Sequence, residues 1–219
     1  MPFSVEEFFA VFARYNEAIW PLQIAAYVAG ALVVGLVFRK SGWSTTVTAL
    51  VLAAIWALNG IGYHWTFFAE VNPVARIFAG LFAVQALFLL ASPWLFSNLV
   101  LVVRRDLRSI IGLAMIFFAA TLYPVWGAIA GHDYPSTPVF GVAPCPTTIF
   151  TVGVLLTGRW QAVRWLLIIP AIWSAIGGSA AILLQVPQDF GLIATLLIIL
   201  VFAFGHGLYN SFARHEIQP

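Results

Sequence analysis

Long apolar runs separated by short polar segments dominate the chain. A helix that crosses a bilayer needs about 20 predominantly apolar residues, and the sequence contains seven runs of this kind. They cover residues 19–38, 43–63, 74–97, 108–130, 139–158, 162–184 and 190–212. The pattern therefore predicts an all-α fold: one transmembrane domain, residues 1–219, in which residues 19–212 form a bundle of seven transmembrane helices.

The composition agrees with a membrane protein that has little chain outside the bilayer. Hydrophobic residues make up 62% of the chain and charged residues 8%, whereas a soluble domain carries roughly 25% charged residues. The net charge of +2 is too small to indicate a nucleic-acid partner, so the expected partner is the lipid bilayer. The single cysteine excludes an intramolecular disulfide.

The basic residues predict the orientation of the bundle. Most of them follow the first, third, fifth and seventh spans, at Arg39, Lys40, Arg104, Arg105, Arg108, Arg159, Arg164 and Arg214. Arg14 and Arg76 fall on the other side, together with most of the acids, among them Asp189. Because Lys and Arg are enriched on the cytoplasmic side of membrane proteins, the N-terminus is expected outside and the C-terminus in the cytoplasm.

The segment "SVEEFFAVFARY", ahead of the first span, predicts a short amphipathic helix within residues 1–17. Ser4 and Glu7 have the spacing of a capping box, and Phe8 and Phe12 share one helical face. Two interpretations stay open. The helix is either an interfacial anchor on the outer membrane surface or a lid over an outer pocket.

Ionisable side chains are nearly absent from the middle of the predicted spans, where they would mark ion pathways. Asn59, Gln85 and Ser174 are the kind of polar residue found there. Neither a buried carboxylate chain for proton coupling, nor a histidine pair for two haems, nor a lysine in the last span for retinal is visible. Polar and aromatic residues gather in the outer loops instead, where an interfacial belt of Trp and Tyr explains the aromatics equally well.

Prolines interrupt the fifth predicted span around "GVAPCPTTIF", residues 141–150. Proline lacks an N–H and disfavours helix in the residue before it, so the pattern predicts a helix that begins at Pro146 with Cys145 as its N-cap. A helix over 146–158 is about 20 Å long, shorter than the hydrocarbon core of about 30 Å. The preceding "TPVFGVAP" must then continue in extended form, buried in protein or lining a wet cavity.

The broken helix and the outer loops together predict an outward-facing polar pocket near Cys145. Its candidate ligand-binding residues are Cys145, Thr147, Thr148, Tyr63, Asn72 and Tyr134. A second interpretation is a transition metal ion held by some of His64, Glu70, His132, Asp133 and Cys145, although no recognised metal motif is present. A third interpretation is that Cys145 is a small packing residue in a helix shaped by proline.

Three segments carry a resemblance to a known family: "FFAVFARYNEAIWP", "NGIGYHWTFFAEVNPVA" and "FGVAPCPTTIFTVGVLL". They resemble a family of bacterial multi-pass membrane proteins that is catalogued only as a domain of unknown function. The resemblance covers nearly the whole chain. It implies a multi-pass protein of the bacterial inner membrane and supplies no activity, cofactor or catalytic residue.

Three classes of function stay open after these observations. The first is a protein that binds or transports a small solute or metal ion through the outward-facing pocket. The second is an integral-membrane enzyme, with or without a metal, that acts at the outer interface through His64, His132 or Asp133. The third is an accessory subunit of a membrane complex. The sequence also allows a homo-oligomer.

Overall fold

The computed structural model describes residues 3–215, and the side chains among them up to residue 205. The α-helices are α1 (Val5–Ala18), α2 (Leu22–Leu36), α3 (Gly42–Leu58), α4 (Ala75–Leu95), α5 (Leu107–Phe117), α6 (Tyr123–Ile129), α7 (Pro144–Leu156), α8 (Trp160–Leu166), α9 (Ile168–Gly178), α10 (Ala180–Leu183) and α11 (Phe190–His215). π-Helical turns extend α3 over Asn59–Phe67 and join α5 to α6 over Phe118–Leu122. Short 3₁₀ turns occupy Phe68–Glu70 and Pro187–Asp189. The described part of the chain is 77% helix without strands, so the all-α prediction is confirmed. The side chain of Arg214 lies outside the described residues.

Several helices could cross a membrane. Among the described residues, four continuous segments are long and apolar enough: Gly42–Glu70, Ala75–Leu95, Leu107–Ile129 and Pro187–Gly205. The number rises to six if each of two bent helix pairs is one span. These pairs are α1 with α2, bent by 86°, and α8 with the helices that end at Leu183, bent by 47°. Helix α7 is apolar but shorter. The prediction of several apolar membrane-compatible helices is confirmed at this level.

Helix α1 forms as predicted, but its apolar face packs against protein. Glu7 N donates to Ser4 Oγ (3.2 Å) and Ser4 N donates to Glu7 Oε2 (2.7 Å), which completes the predicted capping box. Phe8 and Phe12 are buried, and the Phe12 ring stacks on Tyr63 with 4.7 Å between ring centroids. The rest of the bundle therefore occupies this face, and both interpretations of the helix, an interfacial anchor or a lid, stay predictions.

Helix α7 is the shortened fifth element that the prolines predict, with one correction. It begins at Pro144, two residues before the predicted start, so the N-cap is Ala143 and Cys145 lies inside the first turn. The prediction of Cys145 as N-cap is therefore wrong. The first N–H groups of a helix have no intrahelical partner, so Pro144 and Pro146 cost no helical hydrogen bond. Both prolines can lie within the first turn for this reason, and the helix can begin at Pro144.

The segment ahead of α7 is buried, as predicted, but it is folded into a turn rather than extended. Phe140 is 1% exposed, and Ala143 N donates to Val139 O (2.8 Å). Gly141 has a φ of +79°, a left-handed conformation that glycine adopts without steric cost. Asn59 Nδ2 donates to Gly141 O (3.1 Å), so α3 and its π-helical extension fix this turn in place.

Large apolar side chains lie on the surface while several polar ones are buried. Ile77 is 71% exposed and Ile129 is 81% exposed, whereas Gln85 is completely buried. Gln85 Nε2 is satisfied by the backbone oxygen of Leu166 at 3.0 Å. An extensive exposed apolar surface with hydrogen-bonded polar groups inside is typical of a protein surrounded by lipid.

Three of the predicted inner segments meet at one end of the bundle. Val103 N donates to Val37 O (2.8 Å), which ties the segment before α5 to the end of α2. Leu101 pairs with Gly158 in an isolated antiparallel bridge, which brings in the segment after α7. The loops that carry most of the basic residues are therefore neighbours in space.

Candidate functional site

A cavity of about 350 Å³ lies between α1, the π-helical turn Asn59–Phe67, the start of α7 and the α9–α10 region. Most of its wall is aromatic or aliphatic. The polar groups on the wall are Tyr63, His64, Asn72, Cys145, Ser179 and Asp189. Apolar walls with a few converging polar groups are the usual composition of a small-molecule site.

Asp189 places a buried acid on this wall. It is 1% exposed and lies in the 3₁₀ turn directly before α11. The Tyr123 hydroxyl donates to Asp189 Oδ1 at 2.5 Å, and Cys145 lines the same cavity as Asp189. Asp189 forms no ion pair with any described residue. The carboxyl of Asp189 and the thiol of Cys145 therefore belong to the cavity wall, and the Tyr123 phenol supports the carboxyl from behind the wall.

Three side chains on the wall have buried polar atoms without a hydrogen-bond partner among the described residues. These atoms are the Tyr63 hydroxyl, both ring nitrogens of His64 and Trp173 Nε1. A buried polar group without a partner costs about 1–3 kcal/mol. Such a group on a cavity wall therefore favours an occupant that supplies the partner.

His64 is held by aromatic packing. Its ring meets the edges or faces of Phe82, Trp173 and Tyr63 at centroid distances of 4.8, 4.9 and 5.1 Å. Both Tyr63 and His64 belong to the π-helical turn, and such turns occur frequently at functional sites. The wider turn sets which residues at the end of α3 face the cavity.

Cys145 faces the cavity, together with two of the other predicted ligand-binding residues. The thiol is half-buried, and Tyr63 and Asn72 line the same cavity. Three further candidates lie elsewhere. The Thr148 hydroxyl donates back to Pro144 O (2.9 Å), Thr147 is buried away from the cavity lining, and Tyr134 is 52% exposed beside a shallow surface pocket.

The predicted metal ligands do not form one cluster. The full set was His64, Glu70, His132, Asp133 and Cys145, of which His64 and Cys145 line the cavity. Glu70 pairs with Arg14 at 2.8 Å, His132 stacks on Phe9 with 4.0 Å between ring centroids, and Asp133 is exposed. No group of three or more His, Cys, Asp or Glu that could hold a metal ion occurs within residues 3–205 whose side chains are described. The metal site stays a prediction without structural support.

Sequence reasoning missed two residues of the cavity, Asp189 and Trp173. Asp189 was expected as one of the acids of the outer loops, whereas the structure buries it against Tyr123. One feature of the sequence points to it: the apolar run of α11 begins at the next residue, Phe190, without a polar spacer. Trp173 lies inside a predicted span. The sequence alone does not distinguish a tryptophan that lines a cavity there from one that packs as an ordinary apolar side chain.

Comparisons with known proteins give one match, which covers nearly the whole chain. The search of the curated proteins and the search of the solved structures found no match to this chain. The match is to the family described as "Family of unknown function (DUF6064)", over residues 5–214. The three quoted segments resemble a family that is catalogued without a function, and this match confirms that prediction. The chain belongs to this family of unknown function.

Proposed function

We propose that this chain is an integral membrane protein that binds a small molecule in the cavity beside Cys145. The observation that carries the proposal is the set of unpartnered polar atoms on the cavity wall, at Tyr63, His64 and Trp173. A ligand with its own hydrogen-bonding groups removes the cost of leaving these atoms unsatisfied. The surrounding apolar wall takes up the rest of the ligand.

The proposal includes a location: the bacterial inner membrane, crossed seven times, with the N-terminus outside and the C-terminus in the cytoplasm. The four long helices, the bent α8–α10 unit, α2 and the short α7 supply seven segments. The proximity of the basic loops at one end, through Val103–Val37 and Leu101–Gly158, supports a common cytoplasmic side. The cavity then opens in the outer half, beneath α1.

Cys145 supplies a direct test of access to the cavity, because it is the single cysteine of the chain. The protein in lipid nanodiscs is treated with N-ethylmaleimide, and the rate of Cys145 alkylation is measured by intact mass. We expect alkylation in the native chain and a strong decrease in Ala180→Trp, since Ala180 lines the cavity and a tryptophan there fills it. The matched control is Ile182→Trp, because Ile182 is 69% exposed and faces away from the cavity.

Occupancy is tested by native mass spectrometry of protein extracted from the membranes in which it is made. We expect a bound small molecule on the native chain and on Ile182→Trp, and its loss from Ala180→Trp. A native chain without any bound mass, together with equal alkylation rates in all three proteins, would contradict a ligand-binding cavity.

A further inference from the structure

The cavity wall carries an acidic side chain, Asp189, without a lysine or arginine to pair with it in the described part of the chain. Asp189 is the acidic residue among the lining residues, and no Lys or Arg lines the cavity within the described side chains. The ion pair that these side chains do form, Arg14 with Glu70, is at the half-exposed surface. Burying a carboxylate is costly unless a cation or hydrogen bonds compensate for it. Tyr123 supplies one hydrogen bond to Oδ1, and no lysine or arginine among the described lining residues supplies a positive charge.

The rest of the wall suits the apolar and cationic parts of one ligand. Phe8, Phe12, Phe68, Phe78 and Trp173 line the cavity. Aromatic rings attract cations through their quadrupoles, and a desolvated cation gains about 2 kcal/mol from one well-placed ring. An anion gains nothing from this wall, since Asp189 repels it. A hard metal ion such as Ca²⁺ lacks the several oxygen ligands that it requires, and no group of three or more His, Cys, Asp or Glu that could hold a metal ion occurs among the described side chains.

The rim of the cavity is apolar on the side of α9 and α10. Val74 is 48% exposed, Ile176 is 38% exposed and Leu183 is 55% exposed, and all three line the cavity. These residues belong to the surface that faces lipid in the proposed arrangement. A ligand that crosses this rim therefore needs an apolar body of its own.

We propose that the ligand is a lipophilic organic monocation, whose positive group lies at Asp189 and whose apolar body lies among the aromatic rings. This inference rests on the proposed ligand-binding function and narrows it to one chemical class. The Tyr123 hydroxyl orients the carboxylate toward the cation, and the His64 and Trp173 nitrogens meet polar groups or water carried in with it.

The test uses two probes of the same shape, benzyltrimethylammonium and neopentylbenzene, which differ in having a charged nitrogen or a neutral carbon at the same position. Each is added to the protein in nanodiscs, and protection of Cys145 from N-ethylmaleimide is measured as a function of probe concentration. We expect the cation to protect Cys145. In Asp189→Asn, half-protection by the cation requires a concentration about tenfold higher or more, while the weak effect of neopentylbenzene is unchanged.

Two further variants separate charge from structure. Asp189→Glu keeps the charge and is expected to keep the preference for the cation, and Asp133→Asn removes an exposed acid away from the cavity and behaves like the native chain. Equal protection by both probes, unaffected by Asp189→Asn, overturns the cationic ligand while leaving a ligand-binding cavity in place. The cationic ligand is also overturned if Ala180→Trp slows the alkylation of Cys145 but neither probe protects Cys145 in the native chain. Cys145 that is inert in every protein overturns the proposed function itself.

Discussion

The contact between Tyr123 and Asp189 shows how a single hydroxyl supports the buried acid. The hydroxyl is the hydrogen-bond donor to Asp189 Oδ1, and both residues are essentially inaccessible to solvent. Tyr123→Phe keeps the ring and removes the donor, so we expect the free energy of unfolding to fall by about 1–3 kcal/mol. Thermal unfolding in detergent measures the change. Tyr134→Phe, at an exposed hydroxyl, is the control and should unfold like the native chain; equal losses in the two variants would contradict a specific role for Tyr123.

We expect His132 to make the stability of the protein depend on pH. Partial burial lowers the pKa of His132 below its ordinary value, and the ring stacks on Phe9 of α1. The folded state thus disfavours the protonated ring, so this contribution to stability is complete above the unfolded pKa of about 6.5 and is lost as the pH falls below it. We expect the thermal midpoint to fall between pH 8 and pH 5 by more in the native chain than in His132→Gln. Identical pH profiles for the two proteins would rule this contribution out.

Helices α5 and α7 approach so closely that only glycine fits at their crossing. A Cβ on Gly112 would lie 2.5 Å from Gly153 O, and a Cβ on Gly153 would lie 2.6 Å from Gly112 O. Gly153→Ala must therefore separate the two helices, and we expect a loss of about 1–3 kcal/mol, the usual cost of overpacking. Gly80→Ala in α4 is the matched control. A Cβ on Gly80 would have no neighbour within 4 Å, and alanine favours helix over glycine by about 1 kcal/mol, so its stability should be unchanged or raised.

The sequence predicts an element well where local chemistry decides it. The capping box at Ser4 and Glu7 and the prolines before α7 each act within a few residues, and both elements form close to the predicted positions. The π-helical turn Asn59–Phe67 could not be predicted, because the same apolar run fits an α-helix or a π-helix equally well. Its register depends on tertiary contacts such as Asn59 with Gly141, 82 residues away.

The candidate site was predictable in part for the same reason. The prolines around Cys145 indicate an irregular, buried element, and in the structure this element lies beside the cavity. The buried position of Asp189 depends on its contact with Tyr123, 66 residues away, and no local sequence pattern predicts that contact. The predicted metal ligands do not come together among the described side chains. Glu70, for example, pairs with Arg14, which the residue types alone do not reveal.

At the scale of the whole molecule, the ends of the bundle differ in chemistry. At one end, Asn16 Nδ2 of α1 donates to Pro135 O (2.7 Å) and Thr137 O (2.8 Å), which joins α1 to the segment before α7. Arg14, on the same helix α1, pairs with Glu70 of the 3₁₀ turn Phe68–Glu70 at this end. At the other end, the basic segments are tied together through the backbone. The cavity therefore lies near the end that α1 covers, away from the concentrated positive charge.

This asymmetry predicts an orientation that labelling can measure. Cys145→Ser gives a chain without cysteine, and Glu6→Cys or Lys40→Cys then places one thiol at an exposed position at either end. Because positive loops are retained in the cytoplasm, a membrane-impermeant sulfonated maleimide added to intact spheroplasts should label Glu6→Cys. It should label Lys40→Cys only after the membrane is permeabilised. As the control for reactivity, both variants should be labelled after solubilisation. The opposite result in intact spheroplasts, with Lys40→Cys labelled and Glu6→Cys unlabelled, would contradict this orientation and place the cavity in the cytoplasmic half.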